Sequence, residues 1–255
     1  MDIKIGIIGG SGVYKLFEAG EIEKVKLETP FGPVMVSLGE IDGKKVAFIP
    51  RHGEKHSVPP HLINYRGNAY AMYMLGVEKV IATSAVGSLK IEYKPGDILI
   101  PDQIIDFTKN RTYTFFDGKF KVKIKRTGEI RSGVYHIDMT HPYCDELREK
   151  IYESAKEMGL PTHYGGTYIC TEGPRFETPA EIKFFQQIGG DVVGMTNSPE
   201  VFLFKELDIC YALMCMITNY AAGMQERVTH QEVLELFKKK EKMILELIQR
   251  TIQKL

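Results

Sequence analysis

The sequence predicts an α/β fold: one domain over residues 1–255, with a central mixed β-sheet between helical layers in a three-layer α/β/α arrangement. Two observations predict it. β-rich runs alternate with helical patterns along the whole chain, with no repeat, low-complexity tract or linker to divide it, and that alternation buries a sheet between helices. The chain also opens with an apolar strand running into a glycine turn, GIIGGSG over 6–12, where the backbone can approach an anion and present its own N–H groups.

The elements follow in order. Ile3 to Ile8 reads as a buried strand, and VMVSLGEIDGKKVAFIP (34–50) as a hairpin whose Asp42-Gly43 supplies the positive-φ turn. Asn64 to Leu75 has a helical pattern, followed by the strands VEKVIATSA (77–85) and GDILIPDQIID (96–106). HPYCDELREKIYESAKEMG (141–159) is an amphipathic helix with Pro142 near its start and Gly159 at its end. TYICTEGP (167–174) is a strand entering a loop, and Thr178-Pro179-Ala180-Glu181 is a capping box that opens another helix. DVVGMT (191–196) and ICYALMCMITNY (209–220) are further buried strands, with a helix start at Ser198-Pro199 between them, Ser198 serving as its cap. Thr229 to Glu232 is a second capping box, opening a long helix to about Leu255.

Composition excludes several classes of partner. Lys+Arg and Asp+Glu are equal at 33 each, which leaves no electrostatic footprint for nucleic acid or an anionic membrane surface. No apolar run approaches a membrane span, and the N-terminus enters a strand without the charged and apolar regions of a signal peptide. Cys144, Cys170, Cys210 and Cys215 show no CxxC pairing, so the expectation is a cytoplasmic protein with mostly reduced thiols, although spacing does not decide pairing.

In open α/β sheets, sites gather where strands end. Five such ends carry polar residues that a core does not need: GGSG (9–12), PRHGEKH (50–56), TSAVGS (83–88), GMTNSPE (194–200) and TNYAAG (218–223). GGSG lacks the third glycine of a dinucleotide fingerprint, since Lys15 stands there, and it lacks the Gly-Lys-Ser/Thr of a P-loop. Read alone, it is either a tight turn or a cradle for one phosphate, with Ser11 beside backbone donors. Arg51 brings a planar fork of donors suited to an oxyanion, and His52 can add another. His52, His56 and His61 raise the question of metal, but Pro59-Pro60 breaks the helix that their spacing would need, and no Cys or acidic partner stands at ligand spacing. Ser11, Arg51, His52, Ser84 and Thr196 together can surround a tetrahedral oxyanion without one.

The same segments carry a family likeness. GIIGGSG, TPFGP, RHGEKHSVPPHLINYRGN, TSAVGSL, KPGDILIPDQIIDFT, TEGPRFETPAE, GMTNSPEV and TNYAAG, in this order and spacing, resemble the methylthioadenosine phosphorylase and trimeric purine nucleoside phosphorylase family over nearly the full length. The resemblance implies the nucleoside phosphorylase fold and an attack by inorganic phosphate, a co-substrate, on the anomeric carbon of a purine nucleoside. Free base and a pentose 1-phosphate result, with inversion and without metal, cofactor or covalent intermediate. It implies a phosphate site of Ser11, Arg51, His52, Ser84, Ala85 and Thr196, with Met195 against the ribose and Phe176 packed on the purine. It also implies a homotrimer or dimer of trimers, in which the region from His136 to Met139 can complete a neighbour's site.

Two departures from the methylthioadenosine pattern bear on the base. That pattern has a small Ser after PRF and two Asp residues, as DYD, at the base-binding strand end, whereas here stand Glu177 and Asn219-Tyr220-Ala221. The Glu-plus-Asn pairing resembles the 6-oxopurine nucleoside phosphorylases. Hypoxanthine and guanine carry a proton on N1 that a carboxylate can accept, while adenine presents a bare N1 that Glu177 repels. Asn219 can donate to O6 or N7 as the leaving base gains charge. Glu177 can instead be a first-turn acid beside the Thr178 cap. At the other end of the nucleoside, His230 aligns roughly with a His that purine nucleoside phosphorylases place on the 5′-hydroxyl, and His56 can face the same group. The expectation is therefore a 6-oxopurine nucleoside phosphorylase acting on inosine and guanosine. S-methyl-5′-thioinosine or S-methyl-5′-thioadenosine phosphorolysis is the alternative, and a silent purine or phosphate binder a third reading.

Overall fold

A computed structural model describes residues 3–10, 15–17 and 22–255. Ser11 and Gly12, half of the glycine turn, lie outside the described residues. The strands are β1 (Ile5–Gly9), β2 (Glu23–Thr29), β3 (Gly32–Ile41), β4 (Lys44–Pro50), β5 (Lys79–Ser88), β6 (Ile98–Ile100), β7 (Gln103–Phe107), β8 (Lys121–Lys123), β9 (Ile130–Ser132), β10 (Thr162–Tyr164), β11 (Thr167–Thr171), β12 (Val192–Gly194) and β13 (Cys210–Tyr220). The helices are α1 (Tyr65–Leu75), α2 (Asp145–Glu157), α3 (Pro179–Gln187), α4 (Asn197–Glu206) and α5 (His230–Gln253).

The central sheet runs β10-β6-β13-β5-β1-β4-β3-β2, with β12 added antiparallel to the far half of β5 and β11 and β7 beyond it. It is mixed, as its sequence pattern requires. The neighbours β4, β1, β5 and β13 are parallel and buried on both faces, so they read as continuous apolar runs, while β2 and β3 pair antiparallel at the edge and alternate. Period-2 alternation splits each central strand between two cores. From β13, Tyr211, Leu213, Cys215 and Ile217 face a core shared with Met72 of α1 and Phe204 of α4. Ala212, Met214 and Met216 face the opposite core, with Leu147 and Ile151 of α2 and Ile244, Leu247 and Ile248 of α5. These are the three expected layers.

Local chemistry sets the boundaries. Asp42 and Gly43 both take positive φ, 49° and 74°, in the hairpin turn, as Asp-Gly in a two-residue loop demands. Asn64 caps α1, its Oδ1 accepting from Gly67 N at 2.9 Å, and Thr178 and Glu181 form the reciprocal capping box of α3. Thr229 accepts from Glu232 N, but the Glu232 carboxylate turns to Gln225, so the last helix has half the expected box. Ser198 does not cap α4. Its N-terminus carries no side-chain cap, and the Ser198 hydroxyl donates to Asp106 Oδ2 at 2.7 Å, a tertiary bond that no local pattern announces. Pro101 divides the GDILIPDQIID run into β6 and β7.

The thiol expectation is corrected in part. Cys144, at the start of α2, is disulfide-bonded to Cys210, the first residue of β13, while Cys170 and Cys215 are free and buried. Tertiary structure brings together two positions 66 residues apart, a relation that spacing alone cannot disclose.

Candidate active site

The parallel strands deliver their ends to one place. Gly9 of β1 lies opposite Pro50 of β4, Ile8 opposite Ala82 of β5, and Cys215 of β13 opposite Ser84. Gly10, Arg51, Ser84 and the end of β12 therefore arrive at neighbouring heights on the carboxyl side of the sheet, where an α/β crevice forms. A cavity of about 940 Å³ opens there, lined at one end by Gly10, Arg51, His52, Thr83, Ser84, Ala85 and Thr196.

At that end the donors are fixed before any ligand arrives. Arg51 is buried, its Nε and Nη2 donating to Glu200 at 2.7 and 2.6 Å and its Nη1 to the Thr83 carbonyl at 2.8 Å. Burial weakens the charged form of Arg51, but the Glu200 carboxylate more than reverses this and holds the guanidinium charged. One hydrogen on each terminal nitrogen remains for a ligand. Glu200 is itself anchored by the Tyr211 hydroxyl, which donates at 2.7 Å. Beside this pair the Ser84 and Thr196 hydroxyls lie 3.4 Å apart, and Tyr168 reaches both residues, 3.3 Å from Ser84 Oγ and 3.4 Å from Thr196 N. Gly194 makes this possible, because a Cβ there would collide with the Tyr168 hydroxyl.

Three imidazoles extend away from the anion end in a row. The His52 and His56 rings are 4.5 Å apart, and His56 and His230 6.3 Å apart. His52 Nδ1 lies 2.8 Å from the Val58 carbonyl, which can only accept, so Nδ1 carries the hydrogen. Burial pushes His52 down to about 4, keeping its ring neutral near pH 7. Burial and then His230 lower His56 as well. Their ring nitrogens do not gather within reach of one shared ion. Among the described residues, the one group of metal-ligating side chains near enough to share an ion is Cys144, Glu146 and Cys210, whose two sulfurs are bonded to each other and which does not line the cavity.

The opposite end holds the residues that departed from the methylthioadenosine pattern. Glu177 lines the cavity with Oε1 accepting from the Thr171 hydroxyl at 2.6 Å, and its own backbone N–H also favours the carboxylate. Burial raises its pKa, and the Thr171 bond reverses this only in part. The alternative of a first-turn helix acid is answered by Glu181, which fills that role in the capping box and pairs with Arg175. Asn219 stands just after a β-bulge, where the register with β5 shifts between Ile217 and Asn219 and re-aims the strand end. Its Oδ1 accepts from Thr218 and its Nδ2 donates to the Tyr220 carbonyl, both at 2.8 Å, leaving one amide hydrogen. Gly87 gives that amide room, since a Cβ there would approach Asn219 Nδ2 to 3.3 Å.

Of the residues singled out from the sequence, Arg51, His52, Ser84, Ala85, Phe176, Glu177, Met195, Thr196, Asn219, Ala221 and His230 all line this cavity. Ser11 lies outside the described residues. Tyr220 is corrected: it follows Asn219 on a strand whose side chains alternate, and its hydroxyl donates to the Ile91 carbonyl at 3.0 Å instead of entering the cavity. Sequence reasoning missed Glu200, although it closes the quoted GMTNSPE stretch. It also missed the cavity face of α5, formed by Val233, Leu234, Phe237, Lys238 and Glu241, whose apolar members read as ordinary core periodicity. A third omission is Arg111, whose guanidinium donates to the carbonyls of Thr171 and Glu172 at 3.3 and 2.8 Å and so pins the turn that carries the Glu177 partner.

A model of the phosphorylase superfamily matches residues 4–253. A 6-oxopurine nucleoside phosphorylase of Pyrococcus furiosus is 52% identical over 246 residues, covering 96% of this chain and 90% of that protein. An S-methyl-5′-thioadenosine phosphorylase of Pyrococcus abyssi is 51% identical over 254 residues, covering 99% and 93%. Among solved structures, a methylthioadenosine phosphorylase from an Antarctic soil metagenomic library superposes with a TM-score of 0.88 at 35% identity, covering 99% of this chain and 86% of that one. Methylthioadenosine phosphorylase from Schistosoma mansoni in complex with adenine gives 0.88 at 30% identity, covering 98% and 91%.

Proposed function

The chain belongs to the phosphorylase superfamily, and on that premise we propose that it is a purine nucleoside phosphorylase preferring 6-oxopurine nucleosides. It would convert inosine and guanosine, with inorganic phosphate, to free base and ribose 1-phosphate. Relatives of both specificities stand at 52% and 51% identity, so global similarity does not choose between them and the base pocket must. The observation that carries the choice is Glu177, a carboxylate that lines the cavity with its Oε1 held by Thr171. An ionised acceptor there matches the N1–H of an oxopurine and opposes the bare N1 of adenine.

The proposed reaction asks three things of the cavity. Phosphate must be held against the sugar, and Arg51, Ser84, Thr196 and the backbone at Gly10 and Ala85 supply donors for that, with the His52 ring beside them, its one N–H already given to Val58, and Ser11 added by the family pattern. The oxocarbenium-like sugar forms between this anion and the base, with Met195 alongside. The leaving purine gains negative charge, which the remaining Asn219 amide hydrogen can stabilise while Phe176 packs the ring. Phosphate is the co-substrate, and the reading requires no cofactor or metal. It further holds that the enzyme is cytoplasmic and works as a homotrimer or dimer of trimers, in which the segment from His136 to Met139 completes a neighbour's site.

One observation favours a second reading at the 5′ end. Val233, Leu234 and Phe237 place apolar side chains beside His230, a surface that suits a 5′-methylthio group. Inosine, guanosine, adenosine and both methylthio nucleosides, each with and without phosphate, separate the readings. Phosphate-dependent release of hypoxanthine from inosine supports the proposal, whereas phosphorolysis of methylthioadenosine in preference to every oxopurine overturns it.

A further inference from the structure

The anion end of the cavity has donors but little net charge. Arg51 is neutralised by Glu200 through a two-bond fork. Ser84 and Thr196 bring hydroxyls, and Ala85 and Gly10 bring backbone. Beside them, among the described residues, stands His52, whose geometry is decisive. With Nδ1–H committed to the Val58 carbonyl at 2.8 Å, Nε2 of the neutral ring carries a lone pair and no hydrogen, and it has no hydrogen-bond partner among the described residues. An oxyanion without a proton would set its own lone pairs against that nitrogen. An oxyanion with an O–H would donate to it.

Resting on the phosphate site proposed above, we infer that this end of the cavity selects hydrogenphosphate, with one proton held between His52 Nε2 and an anion oxygen. A dianion lacking its own proton must then draw one from solvent. The bond balance is simple. Hydrogenphosphate brings the proton on its own oxygen and donates it as a hydrogen bond, with no net exchange. Sulfate, of the same shape and charge, brings none, so an imidazolium forms at His52 by uptake of one solvent proton and its Nε2–H donates to the anion. Neighbouring groups do not relieve this demand. Arg51, its neighbour in sequence, then His56, whose ring is tilted against His52 at 4.5 Å, and His230 beyond it each oppose a positive charge on His52, while Glu177, Lys238 and Glu241 are the other ionisable groups of the cavity wall among the described residues. The site therefore distinguishes two anions of equal charge by one proton, an economy that exposed donors alone cannot provide.

Calorimetric titration of the full chain with inorganic phosphate and with sulfate, at about pH 8 in buffers of differing ionisation enthalpy, tests the inference. Phosphate should bind with no net proton exchange. Sulfate should take up close to one proton and lose about tenfold in affinity per unit rise in pH. In His52→Asn, whose amide can still donate to Val58 but cannot take a proton, sulfate uptake should vanish. Direct observation of the His52 ring by nitrogen-15 NMR of wild type, with Nε2 becoming protonated when sulfate binds, gives the same answer without a variant. Sulfate binding without proton uptake, equal uptake by both anions, or uptake that persists in His52→Asn overturns the inference while leaving the phosphate site standing. Phosphate binding with no detectable sulfate binding at this pH, and sulfate binding with proton uptake on acidification, is the limiting case of the selection and supports it, whereas failure of phosphate to bind removes the phosphate site, and the inference with it.

Discussion

Glu200 grips the Arg51 guanidinium through two parallel hydrogen bonds, Oε2 accepting from Nε at 2.7 Å and Oε1 from Nη2 at 2.6 Å. Both side chains are almost wholly buried. A buried fork of this kind fixes the plane of the arginine more than it stabilises the fold, because desolvation of the two charges offsets most of their attraction. Its consequence for the site is directional: the two hydrogens left on Arg51 have one orientation before phosphate enters.

Arg51→Ala should therefore raise the phosphate KM and lower kcat/KM by about 10²-fold or more, or ~2.7 kcal/mol of transition-state stabilisation. Glu200→Gln separates charge from orientation. It leaves Arg51 buried and unpaired, and should cost about 3–5 kcal/mol of folding stability together with a higher phosphate KM. Steady-state kinetics over a phosphate series and urea unfolding measure the two effects. Unchanged phosphate dependence in Arg51→Ala would sink the anion site.

How much of this was legible in the sequence depends on the range of the interactions concerned. Alternating apolar runs, the Asp42-Gly43 turn and the Thr178 box are local, and each fold element they announce is present. The strand-end motifs were legible for the same reason, since a polar residue closing an apolar strand stands out against its neighbours. Glu200, Arg111 and Tyr168 were not, because their roles are set by partners 149, 60 and 84 residues away. The cavity face of α5 was hidden differently. Val233 and Phe237 satisfy the periodicity of a core helix, and nothing in a hydrophobic pattern separates a core from a ligand cavity. Short strands such as β8 and β10, three residues each, carry too little pattern to be seen.

The Cys144–Cys210 bond joins α2 to β13 on the far side of the fold from the chemistry, and neither residue lines the cavity. Closing a 66-residue loop removes unfolded-state entropy worth about 4 kcal/mol in the chain-entropy model. Replacing both cysteines by serine should lower the free energy of unfolding by an amount of that order while leaving kcat/KM for inosine within about twofold. Denaturant unfolding without reductant gives the first quantity. A large loss of activity in protein that remains folded would mean the bond positions the site and does not merely tie the chain.

His230 opens α5 and lines the cavity beside apolar Val233 and Leu234. Exchanging it for valine should cost inosine about tenfold or more, the loss of one hydrogen bond to a buried hydroxyl, while sparing or improving methylthioinosine. The ratio of kcat/KM for the two nucleosides is the measurement. If both fall equally, His230 belongs to the helix start alone and the 5′-hydroxyl has another partner.

The base pocket makes the sharpest prediction, because one carboxyl can recognise either purine according to its protonation. Above its pKa, Glu177 is an acceptor for the N1–H of hypoxanthine or guanine. Below it, the neutral acid becomes a donor and suits the bare N1 of adenine. Burial raises that pKa, so the change should occur above the ordinary carboxylate range as the solution is acidified. The inosine-to-adenosine ratio of kcat/KM should thus be high near neutrality and fall with decreasing pH. Protonation of His52 at the anion end affects both nucleosides alike and cancels in the ratio. Glu177→Gln, whose amide can pair with either N1, should flatten the pH dependence and remove about 10²-fold of the preference. Asn219→Asp should move what remains toward adenosine. Two results would defeat the assignment: an inosine-to-adenosine ratio that does not change with pH in wild type, or a preference for adenosine at neutral pH. Either would mean that Glu177 does not face N1, and that the departure from the methylthioadenosine pattern at this position serves the turn rather than the substrate.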